Sequence, residues 1–172
     1  SIVSKSNIVK KINFRYEILV VSACLVSFLS FMLNFIVFLM FLFFIKGLPS
    51  ILSLYIIAPI VGIFFLSLGL SFALSVFFIK YRDIGYLWDI FLQIGFWISP
   101  IAYPIDIVPV EFLEIYMLNP IARIVTLSRE TILYNQLPNT MMLLISLVIP
   151  IILLILGYLL YRFNYRKFIE YI

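Results

Sequence analysis

The residues most suited to contact with a polar molecule lie in one short stretch near the middle of the chain. Asp89, Gln93 and Trp97 follow one another at intervals of four residues, so they share one face of a helix. An acidic side chain inside an apolar helix is costly and is expected to face protein or water, as a substrate path requires. A second interpretation places Asp89 at shallow depth, where it pairs with Lys80 or Arg82.

Aromatic side chains accompany these polar ones. Phe96, Trp97 and Tyr103 are suited either to stacking on sugar rings or to an aromatic belt at a membrane interface. Phenylalanine and tyrosine are abundant throughout, with 18 and 11 copies, so their presence does not decide between the two. The candidate substrate path comprises five side chains: Asp89, Gln93, Phe96, Trp97 and Tyr103.

Catalytic and metal-binding chemistry finds little support in the residue types. The chain contains no histidine and one cysteine, Cys24, which excludes histidine-based nucleophile pairs and thiolate metal clusters. Its six glycines form no phosphate-binding loop, so no nucleotide site is predicted. Glu111 and Glu114 lack a third ligand and are interpreted as solvated residues. We expect no enzyme activity, no catalytic residue, and no metal or cofactor bound by this chain.

The composition identifies the class of protein. Hydrophobic residues make up 65% of the 172 residues and charged residues 12%, and the mean hydropathy is +1.21. A soluble domain is roughly half apolar and about a quarter charged, and it must cover its surface with polar groups. The chain is therefore predicted to be an integral membrane protein. The same apolar composition excludes disorder and a coiled coil. Nucleic-acid binding is also excluded, because in a membrane protein an excess of Lys and Arg more often reports topology than a nucleic-acid partner.

Four apolar runs predict transmembrane spans in an all-α polytopic bundle. Their predicted bounds are residues 18–45, 51–79, 85–105 and 138–161. The third run differs from the others, because Pro100, Pro104 and Pro109 follow one another where it ends. Backbone that is broken at membrane depth must be buried in protein or line a wet cavity.

The distribution of basic residues predicts the orientation. Nine of the twelve Lys and Arg residues flank the spans on the side of the two chain ends, and three lie on the opposite side. By the positive-inside rule, both ends are expected to be cytoplasmic. A location in the plasma membrane is also expected. The predicted organisation is a cytoplasmic segment 1–17, a membrane domain 18–161 and a cytoplasmic tail 162–172.

The segment 106–137 is predicted to be extracytoplasmic. VPVEFLEIYML and IARIVTLSRETILY predict two short amphipathic helices, the second with Ile121, Ile124, Val125 and Ile132 on one face. These helices are expected to lie at the interface or to re-enter the membrane; a plain surface loop is the alternative.

Small residues recur along the second span. Ser67, Ser71 and Ser75 follow at intervals of four, with Gly62 and Gly69 nearby. Close helix packing is the preferred interpretation, and lining of a translocation path is the alternative.

An ordered series of motifs runs through the second half of the chain: YRDIGY, SPIAYP, VP and LNP, followed by an arginine. The residues concerned are Tyr81, Arg82, Asp83, Gly85, Tyr86, Ser99, Pro100, Tyr103, Pro104, Val108, Pro109, Leu118, Asn119, Pro120 and Arg129. The series resembles the membrane permease subunit of ABC-type exporters for polysaccharide, O-antigen and teichoic acid, a type-2 ABC permease family. Glu130 departs from the aromatic residue expected beside the arginine. The resemblance covers essentially the whole chain.

The resemblance implies functions for two segments. The opening segment would match the coupling helix that contacts an ATPase, through Lys5, Lys10, Lys11 and Arg15; lying on the anionic leaflet is the alternative from composition. The broken segment would match short gate helices that include Pro100, Pro104, Pro109, Asn119, Pro120 and Arg129. The family permease has six spans, so two N-terminal spans are expected to be missing here.

The resemblance also implies the assembly. Two permease copies would pair with two nucleotide-binding subunits, which bind and hydrolyse ATP, and a lipid-linked glycan would cross the lipid bilayer between the permeases. Three alternatives stay open: an ABC exporter of drugs or other lipids, a non-transport membrane scaffold, and an inactive fragment.

Overall fold

The described structure is all-helical. The computed structural model describes residues 16–47, 50–81 and 83–171, and for residues 79–80 and 165–171 it describes the backbone alone. No strand occurs in these ranges. Three helices are long and apolar enough to cross a membrane, which confirms the predicted helical membrane bundle. The chain divides into two compact units, residues 1–48 and 49–172.

The described part of the first unit is almost entirely one long helix. Helix α1, Tyr16–Lys46, has 31 residues and is therefore about 46 Å long, more than the hydrocarbon thickness of roughly 30 Å. Its polar side chains bond within the helix: Ser27 Oγ donates to the Ala23 carbonyl (3.1 Å), and Asn34 Nδ2 to that of Ser30 (2.9 Å). These groups are satisfied without a partner helix.

The second unit begins with a 3-10 turn, Ile51–Ile56, that leads into α2, Ile57–Lys80. Pro59 lies in the first turn of α2, a position at which a helix tolerates proline. At the other end of the unit, α6, Thr140–Tyr171, continues through Pro150.

Helices α2 and α6 pack closely along their length. A Cβ added at Gly69 would lie 2.7 Å from the Leu153 carbonyl oxygen, and one added at Gly62 would lie 2.6 Å from that of Ser146. Glycine therefore permits backbone contact between the two helices, as small residues do in membrane bundles. Of the predicted serine series, Ser75 is buried, whereas Ser67 and Ser71 are half-buried.

The third apolar run forms a short helix that ends just before Pro100. Helix α3, Ile84–Ile98, has 15 residues and is roughly 22 Å long, whereas the predicted span covered 85–105. The helix ends at Ile98 because the turn that contains Pro100 follows immediately. Three long helices and this short one stand where four spans are expected, and the four-span topology stays a prediction.

Two further helices follow the break, as the sequence predicts. A 3-10 turn, Ile105–Ile107, leads to α4, Val110–Tyr116, and then to α5, Pro120–Ile132. Helix α5 packs against the 51–56 turn, α2 and α6. Of the predicted apolar face, Ile124 and Ile132 are buried, while Ile121 and Val125 are half-buried.

Two threonines that the apolar pattern did not mark share this buried face of α5. Thr126 and Thr131 are 7% and 0% exposed. Their hydroxyls donate to the helix carbonyls of Ala122 and Leu127, both at 2.9 Å, so they are buried without an unpaired donor.

Candidate functional site

The residues around the end of α3 form a hydrogen-bonded cluster, which we call the break cluster and define as Ser99, Tyr103, Tyr116, Asn119 and Arg129. Ser99 is fully buried and Pro100, next to it, is almost so. Ser99 N–H donates to the Gly95 carbonyl at 3.0 Å, which closes the last turn of α3. The chain then turns and leaves the helix direction.

Tyr103 covers the carbonyl end of α3. Its hydroxyl donates to the Trp97 carbonyl (3.1 Å) and the Ile98 carbonyl (3.3 Å), two of the groups that a helix end leaves unpaired. The same oxygen lies 2.7 Å from the Tyr116 hydroxyl of α4. A carbonyl only accepts and a tyrosine hydroxyl has one proton, so this arrangement leaves Tyr116 as the donor to Tyr103.

Arg129, in the last turn of α5, holds the backbone of the break. Its Nη1 donates to the Tyr103 carbonyl at 2.8 Å, and its Nη2 to the Ile101 carbonyl at 2.9 Å. The planar guanidinium can bind two acceptors at a fixed separation, which a lysine ammonium cannot do with the same geometry. One cationic side chain thus ties the broken segment to α5.

Asn119 joins the start of α5 to the end of α3. Its Oδ1 accepts from the Ile121 N–H at 2.9 Å, which caps α5, and its Nδ2 donates to Ser99 Oγ at 3.0 Å. Pro120 occupies the first turn of α5 and has the φ that a helix start requires. Arg123 Nε donates to the Met117 carbonyl just before this cap.

Two side chains of this region have shifted pKa values. Burial, and then the hydrogen bond with Tyr103, raises the pKa of the Tyr116 hydroxyl, so it stays protonated throughout the physiological range. Burial also raises the pKa of the Glu130 carboxyl above its ordinary value of 4.5. Glu130 lines a cleft together with Asp106 and Arg129.

The predicted site residues fall into two groups. The break brings together Pro100, Tyr103, Asn119 and Arg129, four residues from the predicted gate and path. By contrast, the other four path candidates lie exposed on α3, a helix with no buried residue: Asp89, Gln93, Phe96 and Trp97.

The remaining predicted residues have separate positions. Pro104 and Pro109 are exposed and precede the 3-10 turn 105–107 and α4. The predicted coupling residues lie outside the described residues: Lys5, Lys10, Lys11 and Arg15. Arg82 and the Lys80 side chain, the predicted partners of Asp89, also lie outside them.

Two members of the break cluster were not among the predicted site residues. Ser99 belongs to the SPIAYP motif, so its position beside Pro100 was a usable signal. Tyr116 had no such signal, because its partner Tyr103 lies 13 residues away in the sequence. In the described ranges, no group of three or more His, Cys, Asp or Glu side chains is placed to hold a metal ion.

No family model matches the chain, and no curated protein matches it.

Proposed function

We propose that the chain is the permease subunit of an ATP-driven ABC exporter that moves polysaccharide or lipid-linked glycan across the plasma membrane. The observation that carries the proposal is the break cluster. The SPIAYP motif, LNP and the later arginine are widely spaced in sequence, yet they meet around one helix break. The asparagine of LNP donates to Ser99 Oγ of SPIAYP, and Arg129 donates to the Ile101 and Tyr103 carbonyls of the same motif. The motifs that carry the resemblance to the permease family therefore act together to stabilise the helix break, and this supports the resemblance.

The membrane character of the chain agrees with this proposal. Three helices are long and apolar enough to span, and their surfaces carry large exposed aliphatic and aromatic side chains of the kind that lipid solvates. At the end of the short α3, Tyr103 donates to carbonyls of the last helical turn, and Arg129 donates to two carbonyls of the non-helical backbone that follows. Such internal satisfaction is what lets broken backbone exist near a bilayer.

In the proposed assembly, the break cluster belongs to the extracytoplasmic gate and the chain ends face the cytoplasm. A separate ATPase subunit binds ATP and contacts the opening segment that contains Lys5, Lys10, Lys11 and Arg15. ATP-driven closure of that subunit then biases two arrangements of the permease.

A second copy of the chain completes the proposed conduit. Asp89 and Gln93 lie exposed on α3 among apolar residues, and polar groups on a membrane helix favour protein or water over lipid. In this proposal they face the glycan path between the two copies. Phe96 and Trp97, with ring centroids 5.7 Å apart, then offer aromatic faces to sugar rings.

The test is reconstitution. The chain is expressed with each nucleotide-binding ATPase encoded near its gene, and the absence of any such gene would count against the proposal. The complex is placed in inverted vesicles that contain a radiolabelled lipid-linked glycan. We expect ATP-dependent movement of glycan into the vesicle lumen and none with an ATPase variant that cannot hydrolyse ATP. Transport of a hydrophobic drug without glycan would favour the drug-exporter alternative, and ATP hydrolysis that the chain never stimulates would favour a scaffold.

A further inference from the structure

A small cleft lies beside the break cluster. It has a volume of about 290 Å³ and separates the turn after the helix break from the C-terminal half of α5. Pro104 and Asp106 form one wall, and Thr126, Arg129 and Glu130 form the other. This volume is at the lower end of the range for small-molecule sites, which suits a ligand about the size of one ring.

The walls of the cleft carry both donors and acceptors. Arg129 has five N–H groups and directs two of its nitrogens to backbone carbonyls, so further N–H groups remain available. Thr126 gives its hydroxyl proton to the Ala122 carbonyl, which leaves its oxygen as an acceptor. Asp106 adds an exposed carboxylate. Glu130 adds a second carboxyl group.

The charges of the cleft disfavour ionic ligands. An anion drawn to Arg129 would meet the carboxyl groups of Asp106 and Glu130, and a cation drawn to these would meet the guanidinium. A neutral molecule rich in hydroxyls has neither penalty, because each hydroxyl both donates and accepts. Tyr134, 59% exposed at the rim, and Pro104 supply apolar surface for the face of a ring.

We propose that this cleft binds one sugar residue of an uncharged glycan. Arg129 would then contact both the sugar and the carbonyls of Ile101 and Tyr103, so an occupied cleft would add contacts to the side chain that ties the break to α5. A role of this cleft in glycan export depends on the proposed function, whereas the binding of sugar to the cleft does not.

Binding is measured directly on the full chain in lipid nanodiscs. Glucose, galactose and N-acetylglucosamine are titrated separately, with potassium phosphate and calcium chloride as ionic probes, and saturation-transfer NMR or calorimetry reports the binding. The variants are Asp106→Ala and Tyr134→Ala, both at exposed positions, so retention of the fold is expected and is checked by thermal melting. The matched control is Glu111→Ala, an exposed acid on α4 outside the cleft.

We expect at least one sugar to bind, with affinity about tenfold lower in Asp106→Ala, as loss of a charge-assisted hydrogen bond predicts. Tyr134→Ala is expected to weaken binding as well, and Glu111→Ala to leave it unchanged. The proposal is overturned if no sugar binds, if the two cleft variants bind as well as the control, or if only phosphate or calcium binds. Sugar binding without glycan transport would overturn the proposed function alone, and transport without sugar binding would overturn this inference alone.

Discussion

Arg129 and Tyr103 are joined by a hydrogen bond in the fold, although 26 residues separate them. The guanidinium binds the backbone carbonyl of Tyr103 at 2.8 Å, while the hydroxyl of the same tyrosine covers the carbonyl end of α3. The tyrosine therefore links α3 to an arginine on α5. This relationship holds the chain in place where no helix or strand ladder does so, and the first two predictions test it.

Replacement of Arg129 by lysine is predicted to destabilise the protein by about 2 kcal/mol, since it removes a charge-assisted pair of bonds to two carbonyls. Thermal unfolding in detergent measures the change. Arg162→Lys, at an exposed position of α6, is the control and should melt as the parent does. An Arg129→Lys protein as stable as the control would mean that the guanidinium geometry contributes nothing.

Tyr103→Phe is predicted to lower stability by about 1 kcal/mol, because two α3 carbonyls lose their donor. Tyr116→Phe should have a smaller effect, since those carbonyls stay covered. Each single substitution already removes the Tyr103–Tyr116 contact. The double variant should therefore lose less stability than the two single losses added together. Strict additivity would show that the two hydroxyls do not interact; exposed Tyr134→Phe is the control.

Gly69→Ala is predicted to disrupt the packing of α2 on α6 at a cost of about 1–3 kcal/mol. The added Cβ would lie 2.7 Å from backbone atoms of Leu153 and Leu154, which cannot move as a flexible side chain can. Gly95→Ala on α3 meets nothing within 4 Å and should be neutral or slightly stabilising. Equal melting temperatures for the two alanine variants would contradict the close approach of these helices.

The stability of the fold is predicted to depend on pH through Glu130. Burial raises the pKa of its carboxyl in the folded state above the ordinary 4.5, so the folded state favours the protonated form. The folded state then holds its proton more tightly than the unfolded state, and stability falls as pH rises from about 4.5 through the raised pKa. Glu130→Gln should remove this fall. Melting curves from pH 4 to pH 8, with exposed Glu114→Gln as control, measure it.

The sequence anticipated the helices and the break because both are local properties. A long uncharged run predicts a membrane span whatever its neighbours are. The prolines at 100, 104 and 109 interrupt a helix through their own missing N–H groups. Helix α3 ends at Ile98, just before the first of these prolines, although the predicted third span 85–105 includes apolar residues beyond Pro100. Hydropathy depends on residue type alone and does not report the direction of the backbone after Ile98.

Burial of polar residues was harder to predict for a different reason. Thr126 and Thr131 count as polar in any apolar pattern, yet each can satisfy its hydroxyl on its own helix and then pack like a small hydrophobic residue. The sequence alone determined a helical membrane protein with one proline-broken segment between its last two apolar runs. Only the tertiary structure decided that Arg129 binds the carbonyls of Ile101 and Tyr103. Every residue has a backbone carbonyl, so residue type does not indicate which carbonyl accepts from Arg129. The acceptor is determined by the packing that brings two distant parts of the chain together.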